Sequence, residues 1–165
     1  MIQKKVCLLG AYGVGKTSLV SRFVHSLFSE KYMTTIGVKI DKKSVELENE
    51  RVELVIWDIY GQDDFQKVRM SYLRGASSYL LVVDGTRGPT LDTALSLQES
   101  AEQMLGQVPF LVAVNKADLS GQWEVADRDL VQLSNRGWRV IKTSAKTGGA
   151  VEAAFTTLAH AMVNE

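Results

Sequence analysis

The chain has one cysteine, no net charge and no long apolar run, and each shortage excludes a class of protein. A single cysteine in 165 residues allows no disulfide and no cysteine-built metal site within the chain. Cys7 falls in an apolar run and reads as a small buried hydrophobe, which suits a reducing cytosol. Nineteen Lys and Arg balance nineteen Asp and Glu, so no broad field draws nucleic acid or an anionic membrane. No segment approaches the roughly 18 apolar residues of a membrane span, and no signal peptide opens the sequence. Internal repeats, linkers and low-complexity tails are also missing. Residues 1–165 are therefore expected to form one cytoplasmic domain, large enough for a real core and without nucleic-acid partners.

What the chain does have is alternation. Residues 6–9, 54–59, 80–83, 109–114 and 139–141 are short apolar runs, several β-branched, as strands buried on both faces should be. Residues 36–47 alternate more and lead through Glu48-Asn49-Glu50 into the next run, which predicts a hairpin and one antiparallel edge strand. Helical stretches fill 16–25, 90–105, 126–136 and 150–163, with Gly137 as a left-handed stop after the third. The expected fold is a doubly wound, mostly parallel six-stranded α/β sheet, with ligand at the carboxyl ends of its strands.

Residues 6–18, VCLLGAYGVGKTS, carry the densest chemistry. Gly10, Gly15, Lys16 and Thr17 satisfy the phosphate-loop spacing G-x-x-x-x-G-K-[ST], between an apolar strand and a helix. The bare alternative is a glycine-rich turn joining the two. The loop and helix start, Gly13, Val14, Gly15, Lys16, Thr17 and Ser18, can turn backbone N–H groups around a polyphosphate and add the positive helix end. Lys16 supplies a point charge, and the Thr17 hydroxyl can ligate the accompanying magnesium (Mg2+).

Asp58, at the end of the third expected strand, can support that magnesium through water. Gly61 lets its backbone approach a γ-phosphate, and Gln62 can orient an attacking water. Alone, Asp-x-x-Gly-Gln is also what a strand-ending turn looks like. Two later segments concern a base. Asn115-Lys116-Ala117-Asp118 follows a strand. Its acceptor-only Asp118 can take both N1–H and N2–H of guanine, a pair adenine lacks, while the Lys116 stem can lie along the base plane. Thr143-Ser144-Ala145-Lys146 follows the last strand and can turn the backbone N–H groups of Ser144, Ala145 and Lys146 toward guanine O6.

With these motifs in this order the chain resembles the Ras-like small GTPases, and among them the Rab branch, over essentially its whole length. The resemblance implies a P-loop NTPase fold and a GTP/GDP-dependent switch. It implies Thr35 as the residue that closes on magnesium and γ-phosphate, and Phe28 as an aromatic packed edge-on against guanine. It also implies switches over about 26–37 and 58–74. Catalysis would rest on Gln62, Lys16, Thr35 and Gly61. The implied partners are effectors, exchange factors and GTPase-activating factors, met by a monomer.

Departures from the family pattern are as informative. Tyr12 stands where many relatives carry a small residue, and a phenol there crowds the space beside the γ-phosphate, so slow intrinsic hydrolysis is expected. Ile59-Tyr60 replaces Thr-Ala. The phenols of Tyr12 and Tyr60 either pack together or face solvent and partners. Asp63 replaces glutamate, and Ile40 replaces the aromatic that joins Trp57 and Tyr72 in an effector-facing patch. No cysteine lies near the end, so no direct membrane anchor is expected in this chain. No arginine is an obvious catalytic finger. Two other readings stay open: a GTP-binding interaction module with little hydrolysis, and a small-molecule kinase. The base-reading segments argue against the second.

Overall fold

The computed structural model describes residues 2–25, 37–60 and 70–164. In chain order the elements are Ile2–Leu9 (β1), Lys16–His25 (α1), Gly37–Glu46 (β2), Arg51–Tyr60 (β3), Ser78–Asp84 (β4), Pro89–Leu105 (α2), Phe110–Asn115 (β5), Asp127–Asn135 (α3), Arg139–Lys142 (β6) and Val151–Val163 (α4). Short 3-10 turns cover Met70–Leu73 and Ala117–Gln122. The strands form one sheet in the order β2-β3-β1-β4-β5-β6. Only β2 runs antiparallel, along β3, and every other pairing is parallel. This is the doubly wound α/β sheet with one antiparallel edge strand that the apolar runs predicted. The hairpin closes where Leu47 N–H donates to Glu50 O at 2.8 Å.

Side-chain alternation along the central strands explains why helices are needed on both faces. Val6, Leu8, Leu54, Ile56, Leu80, Val82 and Leu111 point to one side and pack with Leu19, Val20 and Phe23 of α1 and Phe155 and Leu158 of α4. Phe23 and Phe155 stack there at 4.1 Å between centroids. Cys7, Leu9, Tyr79, Leu81, Val83, Val112 and Val114 point the other way, onto Ala94 and Ala101 of α2 and Leu130 of α3. Each fully buried leucine is worth about 1.5–3 kcal/mol, so both faces contribute to stability. Burial also pushes the Cys7 thiol up to about 12, which makes it chemically inert.

Among the boundaries that differ from the sequence reading, two touch the motif residues. β3 runs on to Tyr60, so Asp58 lies two residues inside the strand, paired with Lys39 of β2 and Leu8 of β1. The hairpin partner keeps the ladder going past the apolar run. Asn115 likewise is the last residue of β5, paired with Asp84, rather than the first after it. Gly137 has φ +87 just past α3, as its stop position requires. Among the described residues, no helix is long and apolar enough to cross a membrane. In this strand order the crevice opens beyond the carboxyl end of β1, between its neighbours β3 and β4.

Candidate functional site

The loop leaving β1 is drawn into shape by four donors from three other places: α1, Arg87 and the end of β5. Lys16, 6 % exposed, reaches back from the start of α1 and donates to the carbonyls of Gly10 at 2.9 Å and Ala11 at 3.1 Å. Arg87 donates to Tyr12 O at 2.9 Å, and Asn115 Nδ2 to Val14 O at 3.0 Å. Leu19 N–H takes Gly15 O at 2.8 Å and begins the helix. A planar trans peptide points its N–H opposite its carbonyl. The N–H groups of Gly13 and Gly15 therefore face away from Arg87 and Asn115, as a phosphate cradle requires. Gly15 has φ +105, and a Cβ there would stand 2.3 Å from Asn115 Nδ2. Only glycine lets the base loop come this close to the phosphate loop.

Beside this loop Thr17 Oγ1 donates to Asp58 Oδ2 at 2.6 Å. Asp58 is 1 % exposed, and its Oδ1 has no hydrogen-bond partner among the described residues. Burial raises the carboxyl above its ordinary range, while the Thr17 hydroxyl and the Lys16 and Lys39 charges pull it down. A buried carboxylate oxygen to spare, with a hydroxyl alongside, is a hard-oxygen donor set that fits magnesium. No group of three His, Cys, Asp or Glu side chains among the described residues could hold a metal unaided.

At the other end Asn115, 2 % exposed, is the centre of the base loops. Its Oδ1 accepts from Thr143 Oγ1 and from Ala145 N–H, both at 3.2 Å, while its Nδ2 holds Val14. Asp118 Oδ1 accepts from Ser144 Oγ at 2.7 Å. Ser144 N–H is committed to Gly149 O at 3.0 Å. The structure thus brings together Gly13, Val14, Gly15, Lys16, Thr17, Asp58, Asn115, Lys116, Asp118, Ser144 and Ala145. Lys146 adjoins them, with its carbonyl taken by Arg22. Phe28, Thr35, Gly61 and Gln62 lie outside the described residues, as does the proposed contact of the Tyr60 side chain with Tyr12.

Several participants had no motif to announce them. Asp84, fully buried at the end of β4, accepts from Lys116 Nζ at 2.7 Å and from the amide and hydroxyl of Thr86 at 2.9 and 2.7 Å. Arg22 of α1 holds Ala145 O at 2.8 Å. Trp123 Nε1 donates to Lys116 O at 2.8 Å. The one legible signal was an aspartate directly after an apolar run, the same signal that exposed Asp58. On the outer sheet face Ile40, 47 % exposed, sits in register with Trp57, whose ring lies 6.3 Å from that of Tyr72. Lys5 Nζ covers the Trp57 ring at 3.6 Å.

Comparison with known proteins agrees with this geometry. The model of the Ras family matches residues 5–164. The chain is 37 % identical over 161 residues to the Ras-related protein Rab-1 of Theileria parva, covering 96 % of this chain and 73 % of that protein. It is 33 % identical to the Ras-related protein Rab-13 of Canis lupus familiaris, covering 94 % and 78 %. It is 34 % identical to the GTP-binding protein ypt2 of Schizosaccharomyces pombe, covering 94 % and 79 %.

Proposed function

The chain belongs to the Ras family, and from that premise we propose a Rab-like guanine-nucleotide switch that binds GTP and GDP and hydrolyses GTP. The observation that carries this reading is Asn115, which ties Val14 of the phosphate loop to Thr143 and Ala145 of the last loop. One side chain thereby fixes the spacing between a phosphate cradle and a base reader, which a kinase for small acceptors does not need.

In the mechanism that follows, Lys16 and the N–H groups of residues 13–18 hold the β- and γ-phosphates. Asn115, Lys116, Asp118 and the Lys146 N–H hold guanine, with Phe28 against its edge. Ser144 and Ala145 spend their N–H groups on Gly149 O and Asn115 Oδ1, which corrects the expectation that all three turn toward guanine O6. Thr17 and Thr35 would ligate magnesium and Asp58 would support it through water; when bound, the ion offsets charge on the phosphate oxygens. Gln62 orients water for in-line attack on the γ-phosphorus, and no covalent intermediate is required. Loss of the γ-phosphate releases Thr35 and Gly61, and partners distinguish the two states. The Ile40, Trp57 and Tyr72 face is the effector surface in this reading, with exchange and GTPase-activating factors meeting the switches. Residues 1–165 act as one cytoplasmic, monomeric domain.

The test is nucleotide competition followed by single-turnover hydrolysis on the full chain. GTP should displace labelled GDP at least a hundredfold better than ATP does, and bound GTP should turn over slowly to GDP. Equal competition by ATP would return the kinase reading. Intact GTP after many hours would leave a binding module.

A further inference from the structure

The Lys116 backbone is left-handed, with φ 72 and ψ 39. A non-glycine residue held there is strained and persists only where its surroundings enforce it. Three contacts do so. Trp123 Nε1 and Leu119 N–H both take the Lys116 carbonyl, and Asp84 takes its ammonium at 2.7 Å. The last is the costly one. The Asp84 side chain is wholly buried, and an uncompensated carboxylate there would be strongly unfavourable. Its Oδ1 is occupied by Thr86, and Oδ2 faces Lys116 and, at 3.9 Å, Arg87 Nη1. The same Arg87 nitrogen donates to the Tyr12 carbonyl of the phosphate loop.

Given the switch reading above, on which this rests, we propose that Asp84 is a positioning residue that joins the base-reading loop to the phosphate loop. It sets Lys116 directly, and it anchors the Arg87 charge that holds Tyr12. The stem of Lys116 is then presented to the base plane by a fixed head rather than by a mobile one. Tyr12, where many relatives carry a small residue, has its main chain restrained from outside the loop. Neither Asp84 nor Arg87 needs to touch the nucleotide. Their effect is on how long it stays.

Release of a fluorescent GDP analogue from the full chain, with unlabelled GDP in excess, tests this. Asp84→Asn should speed release about tenfold, within the range expected for a coupled contact. Asp84→Asn/Lys116→Ala should release faster than Lys116→Ala alone by only the Arg87 share, about threefold rather than tenfold, because the Lys116 link is already cut. Arg87→Ala should speed release about threefold, and Arg87→Lys should recover most of that, which a generally loosened fold would not show. Unchanged release from Asp84→Asn, or effects of Asp84 and Lys116 that multiply independently, would overturn the proposal. If Asp84→Asn does not fold, the cycle is run between Lys116→Ala and Arg87→Ala, where independent multiplication overturns it equally. A wild-type chain that does not retain labelled GDP would instead overturn the switch reading, and this inference with it.

Discussion

The base end and the phosphate end of the site are built on opposite principles. At the base end every key side chain is pinned by another part of the fold: Asn115 by Val14, Thr143 and Ala145, Asp118 by Ser144, and Lys116 by Asp84. At the phosphate end Lys16 rests on main-chain carbonyls, and Asp58 keeps one buried oxygen without a hydrogen bond among the described residues. Pinned polar groups are satisfied and rigid, which favours discrimination between bases. Lys16 and Asp58 are buried charges compensated by carbonyls, a hydroxyl and each other's field, and an anionic ligand with its cation would add partners to both. On the proposed reading, specificity is stored in the folded chain, whereas the grip on phosphate is completed by what it grips.

Changes at either end should break this contrast in different ways. Asp118→Asn should have the largest effect. It replaces two charge-assisted hydrogen bonds to guanine, each worth about 1.5–3 kcal/mol, with an amide whose N–H groups oppose the donors of the base. Competition between guanine and xanthine nucleotides should show the preference move toward xanthine, and unchanged selectivity would remove Asp118 from base reading. Lys16→Ala should come next, with affinity for GDP falling by roughly 2–5 kcal/mol while the preference for guanine over adenine survives. Loss of that preference would mean the two ends are not separable.

A smaller effect, on the order of 1 kcal/mol, should sharpen the comparison through pH. The folded Asp58 carboxyl is raised above its ordinary 3.8, so ionising it opposes folding of the ligand-free chain. That penalty is complete above the folded value, shrinks as pH falls through it, and is gone below the unfolded value. Asp58→Asn should therefore stabilise the ligand-free protein at neutral pH, with the gain fading on acidification. Urea midpoints across pH check this, and with magnesium and GDP bound the sign should reverse. Smallest of all, Tyr12→Gly should raise single-turnover GTP hydrolysis several-fold, about 1 kcal/mol or less in the barrier. Equal rates would mean that the phenol does not crowd the γ-phosphate.

The sequence made the core and the motif residues legible for a shared reason. Lys16, Thr17, Asp58, Asn115 and Asp118 all lie at or near the ends of apolar runs, where a parallel sheet presents its ligands. Strand ends were less visible. β1 begins at Ile2 and includes Gln3, Lys4 and Lys5, because pairing with β3 extends the ladder through residues with no apolar pattern. Apart from Asp84, which follows an apolar run, the supporting residues were not visible. Arg87 meets Tyr12 across 75 positions and Arg22 meets Ala145 across 123, and no local periodicity encodes such a meeting. The Ala117–Gln122 turn was missed because it depends on the left-handed Lys116 that Asp84 and Trp123 enforce.

Helix α1 links the two ends in a further way. It starts with Lys16 and Thr17 at the phosphates, and six residues later its Arg22 clasps Ala145 O beside the base reader. Six residues of α-helix advance about 9 Å, and a packed helix neither stretches nor shortens. The helix therefore serves as a gauge block. It sets one distance between the phosphate loop and the last loop, and under the proposed switch a bound nucleotide has to span that fixed length.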